Sequence, residues 1–309
     1  MDSNCYEIDE ILNEAIMTGV PSILVEGIDD ISIYTDICKK ANVEAEIYPI
    51  ESVEGFGEGC DEVIRALGQL DTLPVNKQKI TKNILGIIDR DVREFRGELP
   101  DNDAILILKY YSIESHFVST SATQSTLKQC TKATSELIDF ELANLLLNKI
   151  TPNFIDLYYF SLESLKNALE RDYNSNFCYS YGHGRLNDQN AKELIEQKKV
   201  ELDSFAENLN LDFSLSSLKS FAKGKWILDV FAEELINAVQ QLPQHCRSRD
   251  ISICHSCVTS TYHKCLYRLK DGINKNTLKS LAINHVDSDE FNYIVRRIES
   301  LNTDVTITS

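Results

Sequence analysis

Ile23-Leu24-Val25-Glu26-Gly27-Ile28-Asp29-Asp30 decides the fold: a short apolar run breaks, without a linker, into acidic residues. The pattern recurs. Ile84-Leu85-Gly86-Ile87-Ile88 runs into Asp89-Arg90-Asp91, and Ile105-Leu106-Ile107-Leu108 leads through Lys109-Tyr110-Tyr111-Ser112-Ile113 to Glu114. Short β-branched and leucine-rich runs separated by helical stretches read as buried parallel strands. Open sheets of this kind bind ligands at the carboxyl ends of their strands. Carboxylates delivered there from several strands suit a hard divalent cation, Mg²⁺ or Mn²⁺.

Working outward, the strand ending at Val25 is followed by a helical pattern from Asp29 to Ala41, with Ile31, Ile33, Tyr34 and Ile37 as its apolar stripe. Val43–Pro49 reads as a second strand. Gly55-Phe56-Gly57-Glu58-Gly59 opens a helix through Leu70. This run lacks the Gly-Lys-[Ser/Thr] ending of a phosphate loop, and its acids would repel phosphate. Beyond residue 120 the strand signals fade. Leu137–Ile150, Leu162–Arg171, Asn187–Leu209, Leu218–Leu242, Asn274–His285 and Glu290–Leu301 carry helical periodicity. The expected architecture is an α/β domain over 1–120, a mostly parallel sheet flanked by helices. A mainly helical C-terminal domain over 121–309 follows, with a small Cys/His-rich insertion at 243–271.

With 309 residues the chain can bury a full core. No apolar stretch reaches bilayer length, and the polar, acidic start is unlike a signal peptide. A cytoplasmic protein without membrane contact is expected, with its nine cysteines as thiols or metal ligands. A net charge of −17 argues against a passive nucleic-acid coat protein. An enzyme that meets nucleic acid through bridging ions and a local basic patch stays open.

Metal-dependent phosphoryl transfer needs oxygen ligands that hold a cation against the scissile phosphate. Asp89 and Asp91, one residue apart where the chain leaves a strand, can turn toward one ion. Glu26 can ligate a metal or act as general acid or base, with Gly27 permitting close backbone approach. Asp30 is placed one turn up the following helix, and Glu114 supplies a further carboxylate. The bland alternative for each acid is a helix cap or solvated loop residue. An apolar strand followed by Asp-x-Asp also fits the first motif of haloacid-dehalogenase-like phosphatases, but that fold opens with this strand and later supplies a Gly-Asp-x-x-x-Asp string absent from this chain.

Val25-Glu26-Gly27 with Asp89-Arg90-Asp91 resembles the toprim domain, the metal-binding module of topoisomerases, DnaG-type primases and OLD-like nucleases. The fuller string, Val-Glu-Gly-x-Asp-Asp, Ile-Ile-Asp-Arg-Asp and Tyr-Ser-Ile-Glu at 111–114, is similar to small stand-alone toprim proteins of the OLD-like group, closest to the effector nucleases of PARIS anti-phage defence. The likeness covers residues 20–120 and thins into Ala222-Lys223-Gly224-Lys225. It implies a toprim-like fold and an RNase toxin that attacks host tRNA. It further implies a partner ATPase that holds the toxin inactive until triggered, and a homodimer when active. It raises Lys225 as a stabiliser of transition-state charge; a solvated helix lysine is the alternative.

Cys246, Cys254, Cys257 and Cys265 are spaced C-x7-C-x2-C-x7-C, which predicts a structural Zn²⁺ site. His245, His255 and His263 are alternative ligands, and unmetallated thiols or a redox pair the rival readings. Cys5, Cys38, Cys60, Cys130 and Cys178 are scattered, and most read as small buried hydrophobes. Arg247, Arg249, Lys264, Arg268 and Lys270 surround the module, and with Lys223 they form a weak candidate for nucleic-acid contact. Tyr262 and Tyr267 are available for stacking, and an ordinary mixed surface is the alternative. Gly182-His183-Gly184-Arg185 is a loop with two groups suited to phosphate. The leading function is a Mg²⁺-dependent endonuclease; a non-catalytic scaffold that docks a partner is the rival.

Overall fold

The computed structural model describes residues 6–286 and 289–301. The chain divides into two units, formed by the described residues of Met1–Lys109 with Asp289–Ser309, and of Tyr110–Ser288. The first unit ends before the expected boundary near 120 and regains the chain at its end, where the apolar stripe Ile294, Val295 and Ile298 of helix Asn292–Glu299 is buried. That helix packs on Ile31–Ala41 within the same unit.

In the first unit, strands β1 (Ser22–Val25), β2 (Glu46–Pro49), β3 (Ile84–Ile88) and β4 (Ile105–Ile107) form an all-parallel sheet in the order β2-β1-β3-β4. The central strands β1 and β3 are buried along their whole length, and the edge strands only in part. Uninterrupted apolar runs belong in the centre because helices cover both faces there. The chain leaves β1 toward β2 on one side and returns through β3 on the other. The acidic residues after β1 and β3 therefore flank the switch point, where such sheets open a crevice.

Helix Cys60–Leu70 shows how tightly the sheet is covered. Val63, Ala66, Leu67 and Leu70, at three- and four-residue spacing, face the core with Leu24, Ile84 and Ile88. Each large side chain so buried contributes about 1.5–3 kcal/mol. The helix comes so close to β3 that a Cβ on Gly86 would lie 2.5 Å from Leu67 Cδ1 and 2.8 Å from Val63 Cγ1. The helix expected from Asp29 begins at Ile31, after a single 3-10 turn over Ile28–Asp30. Asp30 thus belongs to the loop that leaves β1, not to the next helical turn.

Among the described residues the second unit carries no named strand. It is built around helices Thr120–Cys130, Phe140–Ile150, Ile155–Leu169 and Gly224–Ser248, with Phe154, Phe160, Trp226 and Phe231 fully enclosed. The expected helix 218–242 is two helices, Leu215–Phe221 and Gly224–Ser248, parted at Ala222-Lys223. The second runs through Pro243, so Cys246 stands on a long helix, not within a loop insertion. The expected 187–209 helix is likewise broken, into Gln189–Gln197 and Lys199–Asn208. Among the described residues no helix is long and apolar enough to cross a membrane.

Candidate metal-binding sites

In the first unit the chain brings Glu26 and the Asp89-Arg90-Asp91 loop together. Glu26 Oε1 accepts the backbone N–H of Asp89 at 2.5 Å, tying the end of β1 to the end of β3. The same oxygen accepts the Cys60 thiol at 2.8 Å, and that Sγ lies 4.0 Å from Asp91 Oδ2 and 3.5 Å from the Asp89 carbonyl oxygen. Asp91 has φ +48°, left-handed backbone that a non-glycine residue adopts at a cost. The buried Tyr34 phenol is pushed well up by burial and then by the charges of Asp89 and Asp30.

Burial pushes the Glu26 carboxyl up, the two hydrogen bonds oppose it, and the Asp91 charge pushes it further. Burial and then the Glu26 charge push the Cys60 thiol far up, so it stands as a protonated donor. Arg93 reaches Asp61 at 2.9 Å, and its charge lowers the Glu26 carboxyl. On the other side of β1, Glu51 Oε1 accepts the Ile28 N–H at 3.0 Å, while its Oε2 is buried with no hydrogen-bond partner among the described residues. The donor set is all oxygen apart from one protonated thiol, and the mutual repulsion of Glu26 and Asp91 is the kind a cation relieves. By chemistry these residues fit a hard cation. Their side chains as placed do not converge on one point: among the described residues, the cluster whose ligand atoms meet is elsewhere.

That cluster is Cys246, Cys254, Cys257 and Cys265 in the second unit. All four are buried and their sulfurs lie within 4.8 Å of one another, close enough to hold a metal ion. The Sγ atoms of Cys254 and Cys265 stand 3.8 Å apart, far beyond a disulfide bond. Backbone amides point at sulfur, among them Cys254 N–H to Cys246 Sγ at 3.3 Å and Leu266 N–H to Cys254 Sγ at 3.5 Å. Burial raises the Cys254 thiol, but hydrogen bonds from the amides of Leu266 and Cys257 and from the Cys257 and Cys246 side chains together outweigh it and leave it at about 7. Cys246 is raised by burial to about 11. The histidines are not in the cluster; His245 instead faces Asp250 at 3.1 Å.

The remaining candidates fare unevenly. Glu114 lies in the second unit, where Ser112 Oγ donates to its Oε2 at 2.5 Å. A Cβ on Gly224 would fall 1.9 Å from Ser112 Oγ and 2.7 Å from Glu114 Oε2, so Lys223-Gly224-Lys225 owes its glycine to the close approach of this helix start. Lys223 Nζ donates to the Tyr179 carbonyl at 2.8 Å, and Lys225 is exposed. Both sit at the start of a helix, not inside one as expected. Tyr267 is fully buried, its hydroxyl donating to Ser252 O at 2.9 Å, and cannot stack on a base. Tyr262 is exposed but covered by the Arg247 guanidinium, 4.5 Å from its ring centre. Arg249 caps the long helix in left-handed backbone, and Arg268 reaches the His263 carbonyl at 3.3 Å. In the 182–185 loop, Arg185 pairs with Asp188 and His183 lies near Asp229. Cys38 and Cys130 are buried as expected, Cys178 is partly exposed, and Cys5 lies outside the described residues.

Sequence reasoning missed Cys60, read as one of the scattered thiols. Its place at the first position of the helix after Gly59, whose N–H reaches the Glu26 carbonyl at 3.1 Å, shows only in three dimensions. No protein-family model matches the sequence, and no curated protein matches it.

Proposed function

We propose that the chain is a divalent-cation-dependent endonuclease of the toprim, OLD-like type. The carrying observation is the hydrogen bond from the Asp89 N–H to Glu26 Oε1, which sets the acids after β1 and β3 side by side at the switch point of a parallel sheet. Asp89 and Asp91 are assigned to hold Mg²⁺ or Mn²⁺, with Asp30 in support. A cation held there supplies charge neutralisation at the scissile phosphate. Glu26, whose carboxyl keeps its proton more readily than usual, is suited to exchange a proton with the attacking or leaving oxygen. The Cys60 thiol and the Asp89 amide orient Glu26 for that exchange. Roles for Glu114 as a ligand and Lys225 in charge stabilisation rest on the sequence resemblance.

The same resemblance, to AriB-type effectors of PARIS anti-phage defence, supports the finer reading: a cytoplasmic tRNA-cleaving toxin, held inactive by a partner ATPase until triggered and active as a homodimer. The four-cysteine cluster is assigned to structural Zn²⁺, because thiolates favour a soft ion and a closed tetrahedral set leaves no position for catalysis. Inducing wild type and Asp89→Ala/Asp91→Ala in cells and sequencing RNA ends tests the proposal. New ends in tRNA that vanish in the double variant are expected; identical ends in both would overturn it.

One observation favours a second reading, a non-catalytic scaffold: the carboxylates do not converge as the cysteines do. Thermal melting separates the two. A functional carboxylate site is stabilised by millimolar Mn²⁺ through mass action, and a scaffold shows no shift.

A further inference from the structure

The first unit contains a cavity of about 660 Å³ at the carboxyl ends of β3 and β4. That volume falls within the range of small-molecule sites. Leu99 and Ile107 give it apolar walls, Asn292 an amide, Tyr293 an aromatic ring, and Arg90 and Arg296 two guanidinium groups. Asp289 and Glu290 also border it, so it is no simple anion trap. Apolar walls, an aromatic face and both donors and acceptors match a nucleobase, which has two flat apolar faces and a polar edge.

Two features fix the cavity beside the carboxylates. Arg90 stands between Asp89 and Asp91 in sequence, and its side chain reaches the Lys109 carbonyl at 2.7 Å and Glu94 at 2.6 Å. Its Nε is buried with no hydrogen-bond partner among the described residues. A buried guanidinium N–H left unmatched costs free energy unless something else accepts it. Tyr293 is held in place by the Lys109 N–H, which donates to its hydroxyl at 2.9 Å. Tyr293 and Arg90, the residue between the two aspartates, thus bind the same Lys109 backbone.

We infer that this cavity is a base-binding subsite, taking an unstacked nucleoside of single-stranded RNA next to the phosphate that the carboxylates address, with Tyr293 and Arg90 against the base and Arg296 at the backbone. The inference rests on the nuclease reading. Enzymes that work on single strands pay the unstacking of a base and regain it by seating the base on aromatic and guanidinium planes. Such a subsite sets which nucleotide flanks the cut.

The test uses the full chain carrying Asp89→Ala/Asp91→Ala, so that binding is read without cleavage. A short single-stranded RNA containing 4-thiouridine is photocrosslinked to it and the adduct mapped by mass spectrometry, and affinity is measured for the same chain with Leu99→Trp added. Leu99 is exposed, and a larger ring there narrows the cavity while leaving every acidic residue in the sequence unchanged. Adducts on Tyr293 or its neighbours and about ten-fold weaker binding by the filled variant, the scale of one lost stacked base, are expected. Adducts elsewhere, no adduct at all, or unchanged affinity would each overturn the subsite. A Mn²⁺ melting shift of the wild type, lost in Asp89→Ala/Asp91→Ala, reads the carboxylate site separately. Failure there with crosslinks at Tyr293 would sink the nuclease reading alone.

Discussion

The acidic loops of the sheet and the cysteines of the helical unit are built on opposite plans. Glu26, Asp30, Asp89 and Asp91 are partly accessible and carried by loops leaving separate strands. One of them stands in costly backbone, and a thiol sits among them. The four cysteines are buried, their sulfurs already converge, and backbone amides support them. The difference is the one expected between an open site, which must admit a substrate and whose charges repel until something arrives, and a closed one, in which metal binding is part of folding.

The largest effect should come from the closed site. Cys254→Ser/Cys257→Ser is expected to lose bound zinc and to fail to fold its unit, since binding energies of structural zinc are about 10–16 kcal/mol in peptide modules. Elemental analysis and yield of soluble protein check this. A double variant that melts like wild type would mean the thiols are merely buried. Next comes Asp89→Ala/Asp91→Ala, expected to leave the melting temperature in place and to cut RNA cleavage by more than about a hundred-fold, the upper range for loss of even an outer-shell metal partner. A fold lost with the activity would erase the contrast between the two sites.

Gly224→Ala should cost about 1–3 kcal/mol, because its methyl has no room beside Ser112 and Glu114; chemical denaturation measures it. Glu26→Gln acts in the opposite direction. The folded-state pKa of Glu26 is raised, so its contribution to stability is full below the ordinary glutamate range and is lost as pH rises through the folded value. Without divalent cation, the glutamine variant should match wild type in acid and melt higher at neutral pH, while losing cleavage. A variant less stable at neutral pH would show that the ionised carboxylate holds the loop together. The smallest effect is that of Lys225→Ala. At an exposed position it should change stability by less than about 0.5 kcal/mol, so any fall in cleavage would be functional.

Much of this was legible in the sequence because it is local. The apolar runs of β1, β3 and β4 and the acids that end them follow from composition over five to nine residues. The cysteine spacing foretold the cluster, since Cys-x-x-Cys in a short turn leaves its sulfurs few places to go. Helix breaks were poorly legible: apolar periodicity continues across Ala222-Lys223 although the chain turns there to let Gly224 approach Ser112. Tyr267 and Tyr262 look alike in sequence, and one is core while the other lies under Arg247.

The sequence by itself determined that the chain forms an α/β sheet with acids at its strand ends and a thiol cluster in a helical region, because strand burial and close ligand spacing are written in neighbouring residues. Only the tertiary structure decided the strand order that makes β1 and β3 neighbours, the thiol of Cys60 between Glu26 and Asp91, and the return of the last helix to set Tyr293 against the Lys109 backbone. Those partners are far apart along the chain, and packing, not local pattern, chooses among the many pairings a sequence permits.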